Sequence, residues 1–183
     1  MKHIIALLSI TFATPALAQE CPAAPDHKEA LSLLITATQE AETELDARII
    51  SQDMWALWTK APDTRAQELL DEGMSRREGV DYDGALTALE ELVRYCPDYA
   101  EGYNQRAFVN FLRQDYAGAL PDLERASELS PRHLGVLTGQ AMTLIALDRN
   151  AEAALVLRRA LALNPWLGER HLLPALEAEE NEL

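Results

Sequence analysis

Three prolines that recur at one spacing constrain the fold of this chain more than any other feature of its sequence. Pro97, Pro131 and Pro165 lie 34 residues apart, twice over, in a chain of 183 residues that contains only nine prolines. Self-similarity at a fixed period of about 20 to 50 residues is typical of proteins that stack copies of one small unit. The proline spacing therefore predicts a repeat architecture.

Other residue types keep the same period. Small residues form two columns and leucine forms a third; they are Gly73, Ala107 and Ala141, then Ala85, Ala119 and Ala153, then Leu89, Leu123 and Leu157. Two antiparallel helices approach to about 8 Å only where side chains are small, so the small columns predict the contact within each helical hairpin. Leucine then fills the space between hairpins. Each proline stands where a second helix must end, because proline lacks a backbone donor and disfavours helix in the residue before it.

Local signals support these helix boundaries. Gly79 follows the first helix of the first hairpin and is predicted to take the left-handed conformation that often ends a helix. The segments Thr64-x-x-Gln67 and Asp98-x-x-Glu101 are predicted to cap the amino-terminal ends of two first helices.

This pattern resembles the tetratricopeptide repeat (TPR) family over residues 66–167, as three units at 66–99, 100–133 and 134–167. Leu92 departs from the family pattern, because it stands where a small residue is usual. The resemblance implies an all-α, right-handed superhelical solenoid of antiparallel hairpins. It says little about function, because one fold serves many functions.

Two flanking segments extend the array. Residues 28–62 have apolar residues at helical spacing and are interpreted as a degenerate leading hairpin; one long helix from Lys28 to Thr59 is the alternative, since no glycine or proline forces a break. Residues 168–183 are expected to form a capping helix, with Leu172, Leu173 and Leu176 inward, followed by an acidic tail. Solenoids need polar end caps because each unit buries its face on the next.

The first eighteen residues have the features of a secretory signal peptide. A short basic start precedes an apolar stretch at 4–12, and Ala16-Leu17-Ala18 is a small-x-small cleavage site. We expect cleavage after Ala18, a tail at 19–27, a periplasmic location and no membrane insertion after cleavage. An uncleaved membrane anchor is the alternative.

Export makes the two cysteines, Cys21 and Cys96, candidates for a disulfide bond, because oxidising compartments permit one. Such a bond would tie the tail to the first repeat and contribute roughly 4 kcal/mol by restricting the unfolded chain. Two independent free thiols are the alternative.

Charge and motifs narrow the function. The formal net charge of −14 disfavours nucleic acid and anionic membrane surfaces as partners. The sequence contains no His-Glu-x-x-His zinc motif, glycine-rich phosphate loop or Gly-x-Ser-x-Gly elbow. We therefore expect no enzyme activity, no cofactor and no metal site. His133, beside Pro131, is expected to cap a helix or lie on the surface.

In the TPR family the first helices of the hairpins line a concave wall that holds extended peptides or partner helices, and the resemblance assigns this role to nine residues. They are Leu70, Met74, Arg77, Asn104, Phe108, Phe111, Thr138, Met142 and Ile145. The wall is expected to be apolar and adaptable because it contains two Phe and two Met. A covered groove is the alternative, closed by the superhelix itself or by the amino-terminal segment.

Two further expectations concern charge. The family's carboxylate clamp needs Lys, Arg and Asn side chains where this chain has Leu70, Met74, Gly135 and Gly139, so that subtype is excluded. Glu72 and Arg106 occupy equivalent positions of neighbouring hairpins and are predicted to pair across the first interface.

The sequence thus favours a non-enzymatic periplasmic interaction module that binds a peptide or a partner protein. A chaperone-like factor for envelope or cytochrome assembly is one alternative. An accessory subunit of an envelope complex, docked through the convex face, is another.

Overall fold

The computed structural model describes residues 20–180, so the predicted signal peptide lies outside the described residues. The described chain is all-α, as predicted. Its helices are α1 (Lys28–Gln39), α2 (Glu44–Trp58), α3 (Thr64–Glu78), α4 (Tyr82–Tyr95), α5 (Ala100–Leu112), α6 (Tyr116–Leu129), α7 (Leu134–Ala146), α8 (Asn150–Leu163) and α9 (Leu173–Glu180), with a 3₁₀ helix (Gly168–Leu172) before α9.

Three antiparallel hairpins, α3–α4, α5–α6 and α7–α8, stack in sequence order. The columns with the 34-residue period lie in their core: Ala85, Ala119 and Ala153 have no exposed surface, and Leu89 and Leu157 are equally buried. At Gly73 an added Cβ would lie 2.6 Å from Leu89 Cγ. The two helices of the first hairpin are therefore too close at this point for any residue other than glycine. Each second helix ends two residues before its proline, as the proline positions predict.

The turn within each hairpin repeats one backbone conformation. Val80, Gln114 and Asp148 have positive φ angles of 61°, 63° and 57° and are themselves 34 residues apart. The next amide in each turn closes back on the helix, as Asp81 N–H does to the Arg76 carbonyl at 2.9 Å. The prediction that Gly79 is the left-handed residue is wrong: its φ is −77°, and the chain reverses one residue later.

The cap of α3 also differs from its prediction. Asp63, one residue before Thr64, accepts the Ala66 amide through Oδ1 at 2.8 Å. Gln67 does reach back, but to the amide of Ala61, at 3.0 Å. The capping interaction therefore exists, with aspartate as the capping side chain.

Residues 28–58 form two helices, because the side chain of Thr43 accepts the Asp46 amide at 3.2 Å and starts α2 there. This hairpin does not stack on the first repeat, since α2 barely contacts α3. It lies along the turns that join successive repeats. Its apolar side packs against residues of the third repeat and the segment after it, among them Leu134, Leu163 and Leu167.

Polar contacts run along the whole edge where this hairpin lies. Tyr99 Oη donates to the Trp58 carbonyl at 2.9 Å, Arg132 donates to Ser32 Oγ at 2.8 Å, and Asn164 donates to Ser51 Oγ at 3.2 Å. The amino-terminal hairpin thus bridges the turns of all three repeats.

The two ends of the described chain are tied down. At the carboxyl end, the 3₁₀ helix and α9 pack on α8, and Leu176 is buried while Leu172 and Leu173 are half-buried against the same core. At the amino end, the structure pairs Cys21 with Cys96, with Cα atoms 5.1 Å apart.

The predicted pair of Glu72 and Arg106 is wrong. Arg106 makes two hydrogen bonds of 2.7 Å to Asp122, on the partner helix of its own hairpin. Glu72 pairs instead with Arg76, one turn along α3. Both side chains pair within their own repeat, so among the described residues neither forms an ion pair across the interface.

Candidate functional site

A cavity of about 380 Å³ lies on the face formed by the first helices of the three hairpins. We refer to it as the groove. Its lining residues are Trp55, Arg77, Asn104, Gln105, Ala107, Phe108, Phe111, Leu123, Gly135, Thr138, Gly139, Met142, Thr143 and Glu169. Because α5 and α7 supply most of them, the groove is centred on the second and third repeats.

Six of the nine predicted wall residues line the groove: Arg77, Asn104, Phe108, Phe111, Thr138 and Met142. The assignment of Leu70 is wrong, because that side chain has no exposed surface and belongs to the core of the first repeat. Met74 packs against the same core, and Ile145 packs against the core of the third repeat. The family pattern thus locates the face, and helix rotation decides which side chains reach it.

Aromatic side chains give the groove its apolar character. Phe108 is 44% exposed, which is high for a phenylalanine in the middle of a folded domain. The Arg77 guanidinium lies 4.9 Å from the centre of its ring. Phe111 makes an edge contact with Tyr116 at 5.2 Å, so its ring is held in place. The groove therefore contains one aromatic ring held by its neighbour, Phe111, and one that is accessible to a ligand, Phe108.

A buried hydrogen-bond network forms the wall behind Asn104. Glu101, only 1% exposed, accepts hydrogen bonds from Asn104 Nδ2 at 3.0 Å and from Gln105 Nε2. Gln105 in turn accepts from Arg77. Asn104 is thus committed to an internal acceptor and holds the wall rigid. The prediction that Glu101 takes part in a cap is wrong, because none of the described side chains caps α5.

His133, the residue before α7, completes this network. Its Nδ1 accepts the Val136 amide at 3.3 Å, which caps α7, and its Nε2 lies 2.8 Å from Glu101 Oε2. With Nδ1 accepting, the ring hydrogen is on Nε2 and is donated to Glu101. The cap was predicted, but the surface location was not correct, since His133 is 1% exposed.

A second cavity, of about 310 Å³, lies on the other side of the network and is lined by Glu101, His133, Trp58 and Tyr99 among others. Burial raises the pKa of the Tyr99 hydroxyl, and the nearby charge of Glu101 raises it further. Tyr99 therefore stays a neutral donor to the Trp58 carbonyl. The network thus contributes to both cavities, with Asn104 and Gln105 lining the groove and Glu101 and His133 lining the second cavity.

Sequence reasoning missed two groove residues that lie outside the repeats. Trp55 comes from α2, and Glu169 comes from the 3₁₀ helix after the third repeat. Both reach the groove because the flanking segments fold back onto the solenoid. No periodic signal in the sequence marks either residue as part of this surface.

Within residues 20–180, no group of three His, Cys, Asp or Glu side chains is placed to hold a metal ion. In the same range, none of the helices combines the length and apolar character that crossing a bilayer requires.

No protein-family model matches the chain. A TPR repeat-containing protein of Rhizobium etli is 42% identical over 60 residues, which is 33% of this chain and 29% of that protein. The homolog of tetratricopeptide repeat protein 36 from Nematostella vectensis is 39% identical over 77 residues, 42% of each chain. The chain thus matches less than half the length of these relatives.

Among solved structures, the first TPR domain of Spaghetti (RPAP3), bound to the HSP90 peptide SRMEEVD, is similar with a TM-score of 0.61 at 21% identity. The similarity covers 64% of this chain and 94% of that one, and at this identity it concerns the fold. The period of 34 residues, the three stacked hairpins and these similarities together show that the chain has the fold of tetratricopeptide-repeat proteins.

Proposed function

We propose that the chain is a non-enzymatic protein-interaction module that binds a segment of a partner protein in the groove. The observation that carries this proposal is the exposed ring of Phe108, set among Phe111, Met142 and Trp55 in a cavity of about 380 Å³. Binding pockets for ligands are mostly apolar, of about 300 to 1,000 Å³, with a few fixed polar groups. The network behind Asn104 supplies such fixed groups.

The similar RPAP3 domain was solved with a bound peptide, which agrees with a peptide-binding role for the corresponding surface here. That peptide carries acidic residues, and this chain lacks the cationic clamp, because Gly135 and Gly139 stand at two of its positions. Apolar contacts therefore carry the binding in our proposal.

The test is a photo-crosslinking amino acid placed at Phe108 in cells that express the full chain. The matched control carries the same amino acid at Leu155, which is 54% exposed on α8, a second helix outside the groove. We expect a discrete adduct from Phe108, none of the same mass from Leu155, and loss of the adduct when Met142→Asp is added. Equal adducts from both positions would show that the groove is not the binding surface.

We further propose that the module works in the periplasm of a bacterium with an outer membrane. The basic start, the apolar stretch and Ala16-Leu17-Ala18 support export, as does the proximity of Cys21 and Cys96. Fractionation and amino-terminal sequencing test it: the expected product begins at Gln19 and leaves the cell on osmotic shock. A full-length product in the cytosolic fraction would refute export.

A further inference from the structure

We infer that the groove binds one large side chain, tryptophan or tyrosine, of a segment that also carries a lysine or arginine for Glu169. This inference rests on the proposed function and goes further, because it names the chemistry of the occupant. It joins three independent features of the groove: a half-buried stretch of helix backbone that carries no side chains, a buried hydroxyl without a partner among the described residues, and a carboxylate without an ion pair among them.

This half-buried backbone belongs to α7, where Gly135 and Gly139 line the groove. Apart from its chain neighbours and the backbone of its own helix, the nearest described atom to a Cβ added at Gly135 would be His133 Cε1, at 3.4 Å, so these contacts do not require a glycine there. At Gly139 an added Cβ would lie 3.1 Å from Leu123 Cδ2 of the preceding repeat, so close packing between the second and third repeats partly explains that glycine. Glycine at 135 thus leaves the backbone accessible to a ligand, a common use of glycine.

The walls beside this backbone suit a flat, bulky side chain. Trp55 is 36% exposed and Phe108 is 44% exposed, and both line the groove together with Phe111 and Met142. Aromatic rings prefer offset or edge-to-face contacts with one another, which are worth about 0.5 to 1.5 kcal/mol beyond the area they bury. A ring inserted over Gly135 would therefore find aromatic partners on more than one side.

Thr143 indicates that the occupant carries a polar atom on an apolar body. Thr143 lines the groove and has no exposed surface, and its hydroxyl has no hydrogen-bond partner among the described residues. A buried polar group without a partner costs about 1 to 3 kcal/mol. A rotation of the Thr143 side chain about χ1 would bring this hydroxyl to the groove, where the indole N–H of tryptophan or the hydroxyl of tyrosine would supply the partner, which phenylalanine and leucine lack.

The charges in the groove indicate why the bound segment would also carry a lysine or arginine. Arg77, 13% exposed, already contacts Glu78, Gln105 and the Phe108 ring, so its charge is engaged. Glu169 lines the same groove and makes no ion pair with any side chain that the structure describes. In a chain of net charge −14, a free carboxylate at this position favours a cationic side chain and disfavours an acidic segment.

The experiment selects a random linear peptide library against the full chain and measures the affinity of the most enriched peptide, made synthetically with a fluorescent label. We expect enrichment of Trp or Tyr together with Lys or Arg, and depletion of Asp and Glu. Gly135→Leu, which fills the space above α7, should weaken binding at least about tenfold, and Gly135→Ala should weaken it less. Glu169→Lys should weaken binding and reverse the preference for basic peptides.

Gly79→Leu is the matched control, because Gly79 is an exposed glycine outside the groove and should leave affinity unchanged. Gly135→Ala should keep the thermal midpoint of the parent, since its Cβ fits at 3.4 Å, so loss of binding in this variant is separate from loss of folding. Acidic enriched peptides, no enriched peptide, or an affinity unchanged by Gly135→Leu would overturn the inference. If Phe108 still crosslinks its partner in those cases, the proposed function stands and only the identity of the occupant is wrong.

Discussion

The indole ring of Trp58 stacks on the imidazole ring of His133, with ring centroids 4.0 Å apart and an angle of 19° between the planes. Trp58 ends α2, and His133 caps α7 while donating to Glu101. One stacking contact therefore joins the amino-terminal hairpin to the network that forms the groove wall. Together with the apolar packing and hydrogen bonds of the hairpin, this contact holds α2, which brings Trp55 to the groove.

Trp58→Ala is expected to release the hairpin while the repeats stay folded. Trp58 is 8% exposed, and removing a buried tryptophan side chain costs about 3 kcal/mol or more. Hydrogen exchange followed by mass spectrometry should show faster exchange in α1 and α2 and little change in α6. Trp55→Ala, which removes a half-exposed ring from the same helix, is the control. Uniform loss of protection across all helices would contradict this separation.

Glu101→Gln is expected to destabilise the protein by about 1 to 3 kcal/mol, the cost of a buried polar group left without a partner. Glu101 accepts hydrogen bonds at both carboxylate oxygens, and only a carboxylate presents two acceptors. In glutamine the amide nitrogen would face a donor from Gln105 or His133. Urea denaturation measures the change, with exposed Glu90→Gln on α4 as the control. Equal stabilities of the two variants would mean that the network adds nothing to folding.

Val80→Gly is expected to stabilise the protein by about 0.5 to 1 kcal/mol. The left-handed conformation costs a residue with a Cβ roughly 1 to 2 kcal/mol, and glycine avoids this cost. Part of the gain is offset because glycine loses more conformational entropy on folding. Val80 has a φ of 61° and a branched Cβ, which is the least suited of the three turn residues. Asp148→Gly should gain less, since aspartate tolerates this conformation. Thermal midpoints of the two variants measure the order, and a larger gain for Asp148→Gly would contradict the argument.

Reducing the bond between Cys21 and Cys96 is expected to lower the free energy of unfolding by up to about 4 kcal/mol, from the loop of 75 residues that it closes. Denaturation with and without a thiol reductant measures the loss. The double variant Cys21→Ser with Cys96→Ser should show no response to the reductant. Alkylation of both cysteines in native protein isolated without reductant would show that the thiols are free.

The repeat columns could be predicted because they obey local rules. Ala85, Leu89 and their equivalents must be small or apolar wherever one hairpin meets itself or the next, so their spacing carries the architecture. The groove was predictable only in part. The family pattern identified Phe108 and Met142, but the rotation of α3 buries Leu70, which no local rule indicates.

The sequence by itself determined the hairpins and their order, because these follow from period, residue size and helix termination. Its resemblance to the TPR family indicated the face on which the groove lies. Only the tertiary structure decided where residues 28–58 lie, which buried carboxylate joins the repeats, and which flanking side chains enter the groove. The sequence of an amphipathic hairpin predicts that one side is apolar, but it does not predict which surface that side packs against. Contacts such as that of Trp58 with His133 join residues far apart in the chain, so they cannot be predicted from the periodicity of the sequence.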